Sequence, residues 1–143
     1  MMLLPRRRVL IGAGGMVLAG MAPARATEEQ VAALIRELVG EGKVTPGRVT
    51  LDLPLLVENG NAVSMTVGVD APGGVRSIHV FAERNPLPHV ATFTFGPRSG
   101  RPRVATRIRL ATSQTVIAIA KFDDGGFWSD SVDLLVTLAA CIE

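Results

Sequence analysis

The chain has 143 residues, of which 48% are hydrophobic and 20% are charged, with one cysteine and a formal net charge of +2. That length allows one ordinary domain that buries a core without a disulfide or a metal ion. The apolar content excludes a disordered chain, and no apolar run is long enough for a clear transmembrane helix. The positive charge raises the question of nucleic-acid or membrane-surface binding, which depends on where that charge lies.

The first 26 residues have the pattern of an export signal. Three arginines at positions 6–8 precede a glycine-rich apolar stretch over residues 9–20, and the sequence Ala-Arg-Ala at 24–26 has the form of a cleavage site. Paired arginines before a weakly hydrophobic stretch favour the twin-arginine route, which exports folded proteins. We therefore expect residues 1–26 to be a signal peptide that directs export.

Removal of this signal changes the sign of the net charge. It takes away four of the fifteen basic residues and no acidic one, so eleven basic residues remain against thirteen acidic ones, a net charge of −2. Binding to nucleic acid depends on clustered positive charge, so we expect no nucleic-acid partner. We also expect no membrane association after cleavage.

Residues 27–40 have the pattern of a short amphipathic helix. Thr27 and Gln30 stand at the two positions of a capping box. Apolar residues then recur at helical spacing, and Gly40 ends the pattern. The polar face carries several glutamates, so we expect the helix to pack on the edge of the domain and not on a membrane. The apolar stripe consists of Val31, Leu34, Ile35, Leu38 and Val39.

From residue 48 onward hydrophobic residues alternate with polar or small ones, which is typical of strands. Turn-forming pairs such as Asn59-Gly60 separate the segments. Residues 116–122 are almost continuously apolar, as in a central strand buried on both faces. About seven short strands after one helix predict an all-β fold, an immunoglobulin-like antiparallel β-sandwich. The predicted strands cover residues 49–53, 63–69, 78–80, 93–95, 104–110, 116–122 and 132–138.

The residues after the signal include the ligand types of a blue-copper site. Their order argues against such a site, because Met65, His79 and His89 all precede Cys141 by more than fifty residues. We expect Met65 in the core and two ordinary surface histidines. The sequence also lacks a serine-hydrolase elbow, a phosphate-binding loop and zinc-ligand spacing. It therefore predicts no catalytic residues, no metal site and no cofactor.

Basic residues cluster between Glu83 and Asp123, a stretch without acidic residues. Within it Arg103, Arg107 and Arg109 alternate along one predicted strand. Two interpretations stay open. The arginines form a solvated strand face whose stems cover apolar surface, or they form a docking or anion-attracting patch.

Cys141 is the only thiol of the chain and lies three residues beyond Leu138, where the last predicted strand ends. It cannot form an internal disulfide. Three residues past that strand extend at most about 10 Å, enough to enter the cleft of a partner. From the residues alone, a functional thiol, an incidental thiol and a Cys141-linked homodimer all stay open.

Seven short motifs are distributed along residues 27–143. They are GRV to LP at 47–54, ENGNAV at 58–63, SIHVFA at 77–82, NP at 85–86, VATF at 90–93, TRIRLA at 106–111 and VTL at 136–138. Together these motifs resemble the SoxY family, the sulfur-carrier subunit of the periplasmic thiosulfate-oxidising Sox system. A twin-arginine signal is usual in that family, so the resemblance implies a periplasmic protein.

The resemblance implies a non-enzymatic carrier that holds sulfur-oxidation intermediates covalently on Cys141. In the family, a haem enzyme joins thiosulfate to the cysteine, a hydrolase releases sulfate, and a dehydrogenase oxidises the remaining sulfane. The resemblance also implies a heterodimer with a SoxZ-like subunit and transient docking to these enzymes. A covalent tether raises the effective concentration of the intermediate at successive active sites.

The tail departs from the family pattern Gly-Gly-Cys-Gly-Gly. Here the carrier arm consists of Ala139, Ala140, Ile142 and Glu143 around Cys141. Alanine is stiffer than glycine, and an acidic residue near the thiol disfavours the thiolate and repels anionic thiosulfate. A SoxY-like paralogue that acts as a protein-binding or regulatory module is therefore the alternative interpretation. We expect a signal at 1–26, a SoxY-like helix plus β-sandwich at 27–138 and a carrier tail at 139–143.

Overall fold

One helix and nine strands make up the part of the chain that the structure, a computed structural model, describes, namely residues 26–70 and 74–140. The elements are α1 (Glu28–Val39), β1 (Val44–Pro46), β2 (Val49–Asp52), β3 (Leu56–Val57), β4 (Val63–Val69), β5 (Val75–Ala82), β6 (His89–Thr94), β7 (Arg103–Ile108), β8 (Gln114–Phe122) and β9 (Phe127–Val136). All seven predicted strands are present. The two additional strands, β1 and β3, are too short to show alternation.

Two sheets form the sandwich. The larger sheet has the order β1-β9-β8-β5-β6, with β3 also paired to β9, and the smaller sheet has the order β2-β4-β7. The β1 and β3 strands run parallel to β9, whereas the other described pairs are antiparallel. After β1, which pairs with β9, the chain crosses to the smaller sheet as β2. It then returns to the larger sheet as β3, which also pairs with β9. The immunoglobulin-like β-sandwich predicted from the sequence is confirmed.

The main core lies between the two sheets. Met65 of β4 is 1% exposed, as predicted, and it belongs to a continuous apolar cluster with residues of β5, β8 and β9. Alternation places these side chains inward, since successive residues of a strand point to opposite faces. A polar contact also joins the sheets, because the Leu51 N–H donates to the Asp130 carboxylate at 2.9 Å.

The capping box at the start of α1 is confirmed. The Gln30 N–H donates to Thr27 Oγ1 at 3.3 Å, and the Thr27 N–H donates to Gln30 Oε1 at 3.0 Å. Gly40 ends the helix with a φ of 63°, a conformation that glycine adopts without a steric penalty. None of the helices among the described residues combines the length and apolar character needed to cross a bilayer.

We had expected the helix at the edge of the domain. It lies instead on the outer face of the larger sheet. Val31 packs there against Phe81 of β5, Ile119 of β8 and Phe127 of β9 in a second apolar cluster. Because α1 covers this face, β8 is buried on both sides, and this explains its nearly continuous apolar sequence.

Candidate functional site

Residues 137–140, here called the tail root, lie across one end of the sandwich. The Gly60 N–H donates to the Leu138 carbonyl oxygen at 2.8 Å, and the Ala140 N–H donates to the Leu110 carbonyl oxygen at 3.2 Å. Gly60 belongs to the loop between β3 and β4, and Leu110 follows β7. The tail root is therefore hydrogen-bonded to loops that serve both sheets.

A glycine is required where the tail root passes. Gly60 is buried, and a Cβ atom there would fall within van der Waals contact of the Leu110 carbonyl oxygen and 2.9 Å from the Ala140 nitrogen. Real Cβ atoms avoid such distances, so a side chain at this position would displace the backbone. The sequence predicts Gly60 only as a turn residue, and its contact with the tail root is a finding of the structure.

The tail root directly precedes the predicted carrier cysteine. Ala139 and Ala140 of the predicted carrier arm are described, and Ala140 is tied to Leu110 rather than extending into solvent. Cys141, Ile142 and Glu143 lie outside the described residues. Cys141 is joined to Ala140, the last described residue, by one peptide bond.

Four exposed leucines lie in the tail root or at the paired ends of β3 and β9 that lead into it, and we call them the leucine patch. Leu55, Leu56, Leu135 and Leu138 are 70%, 59%, 63% and 61% exposed. Leu56 and Leu135 are Cα partners in the pairing of β3 with β9. This patch was not predicted from the sequence. The signal that could have revealed it is the Leu134-Leu135 pair, since adjacent residues of a strand point to opposite faces and only one of the two leucines can lie in the core between the sheets.

The three predicted patch arginines are exposed, but they do not form one cluster. Arg107 pairs with Ser64 of β4 and lies near the C-terminal end of β7. Arg109 immediately precedes Leu110. Arg103 lies four residues away along the strand, about 13 Å. Among the described residues, none of the three has a carboxylate within ion-pair distance. Arg109 therefore adjoins the residue that holds the tail root, Arg107 is the next nearest of the three, and neither has an ion-pair partner among the described residues.

A buried asparagine fixes the segment that holds the tail root. The Asn85 side-chain amide donates to the Arg109 carbonyl oxygen at 2.8 Å, and its oxygen accepts the Ala111 N–H at 2.9 Å. Gln114 Nε2 also donates to that oxygen at 3.0 Å. Leu110, which accepts the Ala140 bond, lies between the two fixed positions. From the sequence, Asn85 is predicted only as part of a turn.

The two histidines meet on the outer face of the larger sheet. The Thr92 hydroxyl lies 3.3 Å from His79 Nδ1 and 2.9 Å from His89 Nε2, and the His89 ring stacks on Phe81 at 4.8 Å. Burial lowers the pKa of His79, and the positive charges of His89 and Lys121 lower it further. The described residues hold no group of three side chains suited to a metal ion.

Comparison with known proteins gives a family match. The model of the family described as "Sulfur oxidation protein SoxY" matches residues 35–141. The SoxY sulfur carrier protein of Chlorobium limicola f thiosulfatophilum has a TM-score of 0.67 and 25% identity to this chain, and the alignment covers 77% of this chain and 98% of that one. A search of curated proteins found no match.

Other solved structures share the fold alone. The superoxide reductase (neelaredoxin) of Ignicoccus hospitalis is 18% identical with a TM-score of 0.55, over 78% of this chain and 94% of that one. A putative superoxide reductase of Thermotoga maritima is 22% identical with a TM-score of 0.55, over 69% of this chain and 89% of that one. The SoxY match, in contrast, rests on both sequence and structure, and the chain belongs to the SoxY family of sulfur oxidation proteins.

Proposed function

We propose that this protein carries thiosulfate-derived intermediates covalently on Cys141 and presents them to Sox enzymes. The observation that carries the proposal is the family match, which extends through residue 141 and so includes the only thiol of the chain. The match to a SoxY sulfur carrier over 98% of that chain supports the same role. In this role the protein is a carrier and not an enzyme.

The chemistry requires a thiol that partner enzymes can reach. Joining thiosulfate to Cys141 forms one sulfur–sulfur bond and releases the thiol proton and two electrons, which the haem enzyme accepts. Hydrolysis of the terminal sulfur–sulfonate bond then consumes one water, releases sulfate with its proton, and leaves a persulfide on the carrier. The dehydrogenase then oxidises the outer persulfide sulfur to a sulfonate, which takes three oxygen atoms from water, releases seven protons and passes six electrons to that enzyme. The tether keeps each intermediate bound throughout this sequence.

The electrostatics beside the tail root suit an anionic cargo. Arg107 and Arg109 are exposed and lack ion-pair partners among the described residues. Their charges attract thiosulfate and offset the repulsion expected from Glu143. Because exposed charges are screened within about 8 Å at physiological ionic strength, this contribution should fall as salt is added.

The partners and location follow from the family. We propose a heterodimer with a SoxZ-like subunit, transient docking to the conjugating, hydrolysing and dehydrogenating enzymes, and a periplasmic location. Export by the twin-arginine route, with residues 1–26 as the signal peptide and 27–143 as the mature chain, is supported by the paired arginines Arg6 and Arg7. Replacement of those arginines by lysine should trap an uncleaved precursor in the cytoplasm, whereas export of that variant would exclude this route.

Intact-mass measurement tests the carrier role directly. The mature chain with its SoxZ-like partner is incubated with thiosulfate and the conjugating haem enzyme, and wild type is compared with Cys141→Ser. We expect a thiosulfonate adduct on wild type and none on the variant. A wild-type chain that stays unmodified, while a glycine-tailed SoxY in the same reaction is loaded, would refute the proposal.

A second experiment separates this role from that of a binding module with an incidental thiol. Charge reversal at Arg107 and Arg109 in a binding module would abolish complex formation, whereas Cys141→Ser would change nothing. For the carrier we expect Cys141→Ser to be the more damaging change, because loss of the thiol abolishes sulfur transfer completely. Thiosulfate-dependent respiration in a strain that carries each variant is the measurement.

A further inference from the structure

We propose that the leucine patch is the docking surface for an enzyme that forms or breaks a bond at the Cys141 sulfur. This inference rests on the proposed carrier function and adds to it the surface through which the carrier is recognised. The patch consists of Leu55, Leu56, Leu135 and Leu138, each at least 59% exposed. Four of the five large hydrophobic side chains that are exposed among the described residues lie here.

The position of the thiol restricts where such an enzyme can bind. Cys141 follows Ala140 directly, so its sulfur lies within about 7 Å of the Ala140 Cα by covalent geometry alone. Ala140 is held at the surface by its bond to Leu110, and Leu138 by its bond from Gly60. An active site that receives the sulfur while these bonds persist must bring its rim against the tail root, and therefore against the adjacent leucines.

The patch has a defined shape at this position. Leu56 and Leu135 are register partners in parallel pairing, and the Leu135 N–H donates to the Leu55 carbonyl oxygen at 2.9 Å. This pairing fixes the backbone of Leu55, Leu56 and Leu135 in one arrangement. A shallow groove of about 370 Å³ also runs beside Leu56, between β3 and the start of β4, and Val63 forms part of its wall. The backbone beneath the patch is therefore already in place before a partner binds, which lowers the entropic cost of docking.

The size of the patch favours a transient enzyme over a permanent subunit. Four leucines with this exposure present on the order of 400 Å² of apolar surface, the scale of functional patches on monomers. A stable interface buries about 800 Å² per partner and has a larger apolar centre. A carrier must leave each enzyme after reaction, so a small apolar contact beside the reacting group suits it.

The test uses neutral substitutions, so that added charge does not affect the binding of anionic thiosulfate. The double variant Leu56→Gln with Leu135→Gln is compared with wild type and with Leu87→Gln. Leu87 is 80% exposed and lies in the turn between β5 and β6, on the far side of β8 from β3, so Leu87→Gln is a matched control. All three proteins are prepared as heterodimers with the SoxZ-like subunit.

Two measurements are made. The rate of thiosulfate conjugation by the haem enzyme is followed by intact mass, and we expect the KM for the double variant to rise about tenfold or more with kcat nearly unchanged. Affinity for the same enzyme is measured with Cys141→Ser forms, which do not react, and should fall by the same factor. Alkylation of Cys141 by iodoacetamide should proceed equally in all three proteins, because it needs no docking.

The outcomes separate this inference from the carrier function. Loading of wild type with an equal KM and equal affinity for the double variant would refute the docking surface and leave the carrier function intact. Loss of the SoxZ-like subunit from the double variant would assign the patch to that subunit and also overturn the inference. A wild-type chain that neither binds the enzyme nor takes an adduct would overturn both proposals.

Discussion

Replacement of Gly60 by alanine is the sharpest test of the tail root. The new Cβ would fall inside contact distance of the Leu110 carbonyl oxygen, 2.9 Å from the Ala140 nitrogen and 3.2 Å from the Leu138 oxygen. All three are backbone atoms, so no flexible side chain can move aside. Either the loop shifts, or the tail root separates from it.

The expected loss of stability can be worked out for a shift of the loop and for separation of the tail root. Overpacking that forces backbone shifts costs about 1–3 kcal/mol. Separation of the tail root instead loses the Gly60–Leu138 and Ala140–Leu110 hydrogen bonds, each with a net contribution of about 1 kcal/mol. We therefore expect Gly60→Ala to lower the free energy of unfolding by about 2–3 kcal/mol, and the Ala140 amide to exchange faster with solvent.

Urea unfolding and amide hydrogen exchange measure these two effects. Gly96→Ala is the matched control, because its Cβ would lie 3.7 Å from Ser99 Oγ, an ordinary contact, and should change stability by less than about 0.5 kcal/mol. If Gly60→Ala were as stable as wild type and its Ala140 amide equally protected, the described path of the tail root would be wrong.

Three further predictions concern polar groups that are buried or half-buried. Asn85→Ala should lower the free energy of unfolding by about 3 kcal/mol, measured in urea, since it leaves the Arg109 carbonyl and the Ala111 N–H without their partner and removes one acceptor of Gln114 Nε2. An unchanged midpoint would contradict the network. Asp130→Ala should cost about 1–3 kcal/mol in the same assay by leaving the Leu51 N–H unpaired, whereas Asp124→Ala, at an exposed turn, should cost less. For His79, the folded-state pKa is below its ordinary 6.5, so the unfolded chain binds the proton more readily and stability should fall as pH drops from above 6.5 toward the folded value. His79→Gln should flatten this pH dependence of the urea midpoint, and an equally steep profile would show that other groups cause it.

The sequence predicts the architecture well because burial imposes simple patterns. Alternation in residues 63–69 and the capping box at Thr27 each reflect local rules, and both reappear in the structure. Strand ends are less accurate. The last strand starts at Phe127 and not at 132, because the segment that includes Ser129 and Asp130 pairs with β8 through backbone groups despite its polar side chains. The strand ends at Val136 and not at 138, because the residues after Val136 form hydrogen bonds with β3 and the β3–β4 loop.

The candidate site is less predictable because it depends on contacts between distant residues. The sequence identifies Cys141 and the arginines as chemically distinctive, but it cannot show that Ala140 meets Leu110 or that Arg103 lies away from Arg109. The position of α1 is similar. Its apolar stripe predicts burial, but only the sheet order shows that the stripe covers β8. The leucine patch likewise requires the register of β3 with β9.

The attachment of the tail root sets a condition on any enzyme that uses the thiol. If the bonds at Gly60 and Ala140 together contribute about 2 kcal/mol, the detached tail is populated about 30-fold less than the attached one. An enzyme that binds only a detached tail would show an affinity weakened by that factor. An enzyme that docks on the leucine patch with the tail attached avoids this penalty. Alanine at 139 and 140 restricts a swinging arm more than glycine does, so a surface that brings the enzyme to the thiol is the arrangement that this tail favours.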